Sequence, residues 1–224
     1  GGDPKYSNAY VEYDPEKAKS WLDEAGLAKL DSDGFRLLPN GEPFLLILSP
    51  SSQRKLSIDS GEVIKRHFEA VGIRTVLKPE DNALFRKRRD SGEHMITIGN
   101  NAEGLNPLQR PFCYFPVSKT AVWAPLTGSY YSSGGSVGNP PDGLQQELID
   151  YYEEASVTLD PVARAEIFGK VMDLHSENLW QIGIMSYAGF PMVVTNRMKN
   201  VPEVIVNAYA NAPAAFAEQY YIDE

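Results

Sequence analysis

The sequence predicts a mixed α/β fold, and three observations carry that reading. Helical and strand patterns alternate from residue 14 to residue 98. Within that span, apolar runs at Phe44–Leu48 and Ile73–Leu77 flank a helical pattern, which is the layout of a β-α-β unit with a right-handed crossover. A long aromatic stretch without periodicity then separates this region from two further helices.

The first helix is signalled at both ends. Asp14 can accept hydrogen bonds from the first free N–H groups, and Pro15 suits the first turn. Gly26 offers a left-handed stop, and Ala18, Trp21, Leu22 and Ala25 recur at helical spacing as one apolar stripe. Ser32-Asp33-Gly34 reads as a turn, Asn40-Gly41 as a two-residue hairpin, and Phe44–Leu48 as a strand buried on both faces. Pro50–Ser57 reads as a polar loop, followed by a second helix over about Ser60–Val71. That helix would gather Val63, Ile64, Phe68 and Val71 on one face and stop at Gly72. A strand over Ile73–Leu77, a helix over about Asn82–Asp90 and a strand over His94–Ile98 complete the alternation. Helices resume at Leu144–Ala155 and at Asp160-Pro161, the latter running to about Glu177 with Ile167, Val171 and Leu174 apolar. Trp180–Met185 and Met192–Thr195 read as closing strands before a loop-rich tail ending Tyr220-Tyr221-Ile222.

Composition excludes several function classes. At 224 residues the chain can bury a sizeable core as one large domain or two small ones, and no low-complexity linker divides it. Its 42% hydrophobic and 23% charged content is that of a globular protein rather than a disordered one. A net charge of −9 argues against a nucleic-acid partner, which needs a broad positive field. The run Arg86-Lys87-Arg88-Arg89 spreads around a helical turn and reads as solvated surface. No window approaches a membrane span, and no charged-then-apolar leader is present in these residues. Cys113 is the single cysteine, so no internal disulfide forms.

Catalytic and metal signals are weak. His67, His94 and His175 belong to no metal-binding spacing, and there is no nucleophile elbow, phosphate loop or dinucleotide fingerprint. Neighbouring carboxylates such as Glu153-Glu154 point in different directions on a helix. The chain therefore reads as a non-enzyme with no metal and no cofactor.

Between Pro111 and Pro141 the only charged residue is Lys119, while Phe112, Tyr114, Phe115, Trp123, Tyr130 and Tyr131 supply six aromatics. Such side chains suit stacking on sugar rings or packing around peptide side chains. Two readings are open at this point: core packing beneath a long loop, or ligand contact. Phe112, Tyr114 and Phe115 fit the first better. Trp123, Tyr130 and Tyr131, set among small residues, fit the second equally well.

The run Asp14-Pro15-Glu16-Lys17-Ala18-Lys19-Ser20-Trp21-Leu22-Asp23-Glu24-Ala25-Gly26-Leu27, followed by a DGFR-L-PxGxPF-L-I strand, resembles the extracellular solute-binding proteins of ABC importers, the peptide/oligosaccharide-binding family 5. Gly92-Glu93-His94-Met95 after LFRKRR resembles the "GEHD" step of one branch, although Met95 directly follows His94 here. Trp123-Ala124-Pro125, Gly128 to Gly135 and Gly138-Asn139-Pro140-Pro141 resemble that branch's aromatic loop, and Ala217 to Ile222 its ending.

The resemblance implies one lobe of a type II periplasmic-binding-protein-like clam, with a mixed sheet flanked by helices and a long aromatic loop. In the family the opening motif stands mid-chain. Residues 1–224 are thus expected to form a single domain, the second (C-terminal) lobe, whose partner is the N-terminal lobe of the same protein. The other implied partners are a small-molecule ligand, oligosaccharide or peptide, and the membrane permease. The implied location is periplasmic or extracellular, with a lipid anchor possible. Peptide binders of the family place an Asp after the strand equivalent to Met95–Ile98, where it pairs with the ligand ammonium. Here Gly99-Asn100-Asn101 stand instead, and an amide bonds hydroxyls without neutralising an ammonium. The ligand-binding residues expected are Asn100, Asn101, Trp123, Tyr130 and Tyr131, with a sugar favoured over a peptide. A stand-alone interaction module using the aromatic loop, and a hydrolase with His94 as its best candidate, are the alternatives.

Overall fold

The computed structural model describes residues 4–99, 107–184, 193–204 and 217–223. Helix α1 (Pro4–Ser7) lies against the later helix Pro161–Asn178 through the Lys5–Asp173 ion pair and a hydrogen bond from the Tyr6 hydroxyl to Gly169 O. In α2 (Pro15–Leu22), the Asp14 carboxylate accepts from Lys17 N at 2.9 Å, as its position before Pro15 predicts. A wide turn, Asp23–Leu27, ends it with Gly26 at φ +90°. The apolar stripe is less buried than its spacing implies. Leu22 packs on the sheet core, but Trp21 and Ala25 are exposed, and Trp21 meets the Lys17 ammonium and, edge to face, the ring of Tyr10.

Arg36 holds this corner to the rest. Its side chain is 5% exposed, and the guanidinium donates to Asp23, to Leu27 O at 2.7 Å and to Lys19 O at 3.2 Å, while Nε donates to Val71 O at 2.8 Å. One cation thus satisfies carbonyls at the ends of two helices, where backbone acceptors lack intrahelical partners.

The sheet is parallel, in the order β2-β1-β3, with β1 (Leu45–Pro50) central, β2 (Arg74–Leu77) on one side and β3 (Ile96–Ile98) on the other. A hairpin forms at Asn40-Gly41, but its loop runs from Pro39 to Gly41 rather than over two residues: Leu38 N donates to Glu42 O, Gly41 N donates to Leu38 O with Gly41 at φ +87°, and Leu37 bridges Pro43 antiparallel. Helix α3 (Lys55–Ala70) starts earlier than the sequence predicts, because the polar residues of the supposed loop continue helical. Its sheet-facing residues are the small Ser57, Ser60 and Gly61, with Ile64 and Phe68 beside them; Val63 is exposed. Leu46, Leu48, Ile73 and Ile98 form the core between them. Helix α4 (Asn82–Asp90) has the predicted bounds and is capped by Asp81.

A second core lies among the later helices. Phe115, Val117, Leu148, Ile149 and Val171 pack between α6 (Gly143–Val157) and α7 (Pro161–Asn178). Asp142 closes a capping box with Gln145, and Asp160 caps α7 through Ala163 N at 2.9 Å. Two corrections concern irregular regions. The aromatic stretch is not a single loop: Pro125 opens an eight-residue helix, α5 (Pro125–Ser132). The described parts of the two closing strands, residues 180–184 and 193–195, are irregular; the strand pairing is instead β4 (Met198–Lys199) antiparallel with β5 (Tyr221–Ile222). Met185 and Met192 lie outside the described residues. Strands of both senses therefore occur, in two separate sheets.

Candidate functional site

In open α/β sheets the crevice for ligands lies beyond the carboxyl ends of the strands, where successive connections leave in opposite directions. The order β2-β1-β3 puts that point at the end of β1. Ser51 follows β1 and bridges Glu80, which follows β2; both side chains are buried. Glu80 Oε1 accepts from Arg88 at 2.6 Å, but among the described residues Glu80 Oε2 and Ser51 Oγ have no hydrogen-bond partner. Sequence reading passed over both residues, since only strand order makes them neighbours. Gly99 follows β3 at the same end; Asn100 and Asn101 lie outside the described residues.

The three aromatic candidates are divided between two places. Trp123 stacks on Trp180 with ring centroids 5.0 Å apart, and His175 stands edge-on to both at 5.3 and 5.2 Å. His175 Nε2 donates to Tyr114 O at 2.8 Å, and burial pushes the imidazole below its ordinary value of 6.5, a tendency this hydrogen bond opposes. Trp123 is half-buried against the second core, with its indole N–H buried and without an acceptor among the described residues. Phe115 is fully buried there and Tyr114 partly, whereas Phe112 lies under the Arg110 guanidinium at 5.1 Å.

Tyr130 and Tyr131 instead wall a cleft of about 250 Å³ between α5 and α6. Gly135 and Pro141 border it on the loop side, and Gln146, Ile149 and Glu153 on the α6 side. The Tyr131 hydroxyl donates to Glu153 Oε1 at 3.3 Å; burial first, and then that carboxylate, push the phenol above its ordinary range. The glycines around α5 are sites of close approach rather than of looseness. A Cβ on Gly128 would stand 2.0 Å from Ser118 O, and one on Gly138, which has φ +95°, would stand 2.1 Å from Leu126 O. The helix is clamped from both sides, so its tyrosines are held in place.

The remaining candidates find structural partners. His94 Nε2 donates to Val122 O at 3.0 Å, joining the β3 segment to the aromatic stretch. In the basic run, Arg88 pairs with Glu80 and Arg89 with Asp90, while Arg86 and Lys87 are exposed. Among the described residues, no three His, Cys, Asp or Glu side chains gather as they would around a metal ion.

The family model described as "Bacterial extracellular solute-binding proteins, family 5 Middle" matches residues 1–121. The chain belongs to this family. Over 208 residues it is 26% identical to the periplasmic alpha-galactoside-binding protein of Rhizobium meliloti (strain 1021), covering 88% of this chain and 28% of that one. Among solved structures, the oligopeptide-binding protein OppA superimposes with a TM-score of 0.71 at 29% identity, over 80% of this chain and 30% of that chain. MelB of Agrobacterium fabrum C58, in complex with stachyose, matches with a TM-score of 0.64 at 20% identity, over 76% of this chain and 25% of that chain. These relatives are binding proteins by name, and the periplasmic-binding-protein fold is the fold of this chain. The chain spans less than a third of the length of each.

Proposed function

We propose that this chain is part of the solute-binding component of an ABC importer, which captures an oligosaccharide between two lobes and delivers it to a membrane permease. The observation that carries this reading is the likeness of 88% of the chain to an alpha-galactoside-binding protein, together with membership of family 5. On this reading residues 1–224 form one lobe, the second. The ligand lies at the carboxyl end of the parallel sheet, where Ser51 and Glu80 keep unpartnered oxygens and Asn100-Asn101 follow β3. Binding draws the lobes together because the solute touches both, a shift of population toward the closed form. The protein works outside the cytoplasmic membrane, held by a lipid anchor or free in the periplasm.

A peptide is the less favoured solute, since Gly99-Asn100-Asn101 offers no carboxylate to an α-ammonium. Calorimetry on the protein carrying both lobes tests the choice, with stachyose and tri-alanine as probes. Stachyose is expected to bind and tri-alanine to give no heat. Binding of tri-alanine alone would transfer the assignment to peptides, and heat from neither would remove both.

A further inference from the structure

The α5–α6 cleft has a chemistry that capture of a neutral sugar does not use. Its donors are largely spent within the chain. The Tyr131 O–H goes to Glu153, one Gln146 N–H goes to Asp150 at 2.8 Å, and the N–H groups of Gly134 and Gly135 go to Tyr131 O and Tyr130 O. What faces the opening is weighted toward negative potential: the remaining Glu153 lone pairs, Gln146 Oε1 and the tyrosine rings. The charged groups on the cleft side of α6 are Glu153 and Asp150, and neither α5 nor the following loop to Pro141 carries any charge. Among the described residues, Glu153 has no ion-pair partner; Lys170 lies over Tyr151, outside the cleft lining.

We propose that this cleft binds an alkylguanidinium or alkylammonium group, a cation on a short aliphatic stem. Such a group carries donors and no acceptors, so it satisfies Glu153 and Gln146 without asking for donors the cleft has already used. Its charge meets the faces of Tyr130 and Tyr131, and its stem lies on Pro141 and Ile149. A pyranose would bring as many acceptors as donors and leave most of its oxygens without partners. The space of about 250 Å³ is below that of a drug-sized pocket and takes one such group rather than a chain.

The test is an NMR titration of the chain with butylguanidinium, butylammonium and stachyose in turn. Both cations are expected to shift the amides of Gly134, Gly135, Gln146 and Glu153, saturating in the millimolar range and weakening with salt. A stronger response to butylguanidinium identifies planar, arginine-like groups as the source; an equal response identifies simple amines as well. Glu153→Gln should weaken binding about tenfold, losing an ion pair and part of the field on the rings. Tyr131→Phe keeps the ring and frees the carboxylate, so it should bind as well or better. The proposal is overturned by absent shifts, by undiminished binding in Glu153→Gln, or by stachyose perturbing the same amides more tightly. Neither cation is the solute of the transport reading, so absent shifts with both leave that reading standing.

Discussion

His175 stands where the rings of Tyr114, Trp123 and Trp180 meet, and it enters this core neutral. Its folded-state pKa lies below 6.5, while in the unfolded chain it returns to that value. Between the two the unfolded state binds more protons, so the contribution to stability is whole above 6.5 and is lost as pH falls through the folded value. Asp31 and Asp173 are shifted below 3.8, so their losses belong to more acidic solution. The melting temperature is therefore expected to decline as pH drops from about 7 to about 5. His175→Gln keeps a donor for Tyr114 O without a titrating group, and it should flatten that decline. An equal slope in both proteins would clear His175 of the effect. Arg36 shows what a sequence conceals at this scale. It stands in the DGFR motif and reads as an ordinary cation. Only the approach of Lys19, Asp23, Leu27 and Val71 gives it four acceptors.

At the scale of elements, legibility follows how local the cause is. Asp14, Asp142 and Asp160 each cap their helix through a backbone N–H three residues on, a relation written in the sequence itself. The alternation that produces the β-α-β unit is equally local. Helix α5 is the opposite case. Its residues, Pro-Leu-Thr-Gly-Ser-Tyr-Tyr-Ser, carry no apolar stripe, and an interior glycine argues against a helix. The helix stands because Ser118 O reaches Gly128 and because the loop at Gly138 folds back on Leu126 O and Tyr130 N. Those contacts are tertiary, so the stretch reads as an unstructured loop, and the pairing of Tyr131 with Glu153 across the cleft goes unseen. Gly138→Ala puts a methyl group against backbone at positive φ, and should cost about 2–3 kcal/mol in urea unfolding. Gly134→Ala is the comparison: it shares a positive φ of 64°, but its Cβ would meet nothing within 4 Å. A similar loss in both variants would assign the cost to backbone strain alone and not to the clamp.

At the scale of the molecule, the sheet core and the helical core meet where α4 approaches α5 and where His94 bonds Val122 O, so the sheet's carboxyl end and the aromatic helices are joined in one framework. On the proposed reading the solute is shared with a second lobe, and that sets how much affinity one lobe can hold. A micromolar complex corresponds to about −8 kcal/mol, and an even division leaves about −4 kcal/mol, a millimolar constant. Immobilising the ligand costs nearly the same whether one lobe holds it or two, so the single lobe falls weaker still. The chain alone is thus expected to fold, with a cooperative melt, and to bind stachyose at least about a thousandfold more weakly than the protein with both lobes. Calorimetry on the two proteins under one buffer measures the ratio directly. Micromolar binding of stachyose by these 224 residues would place the whole site within this chain and end the shared-cleft reading.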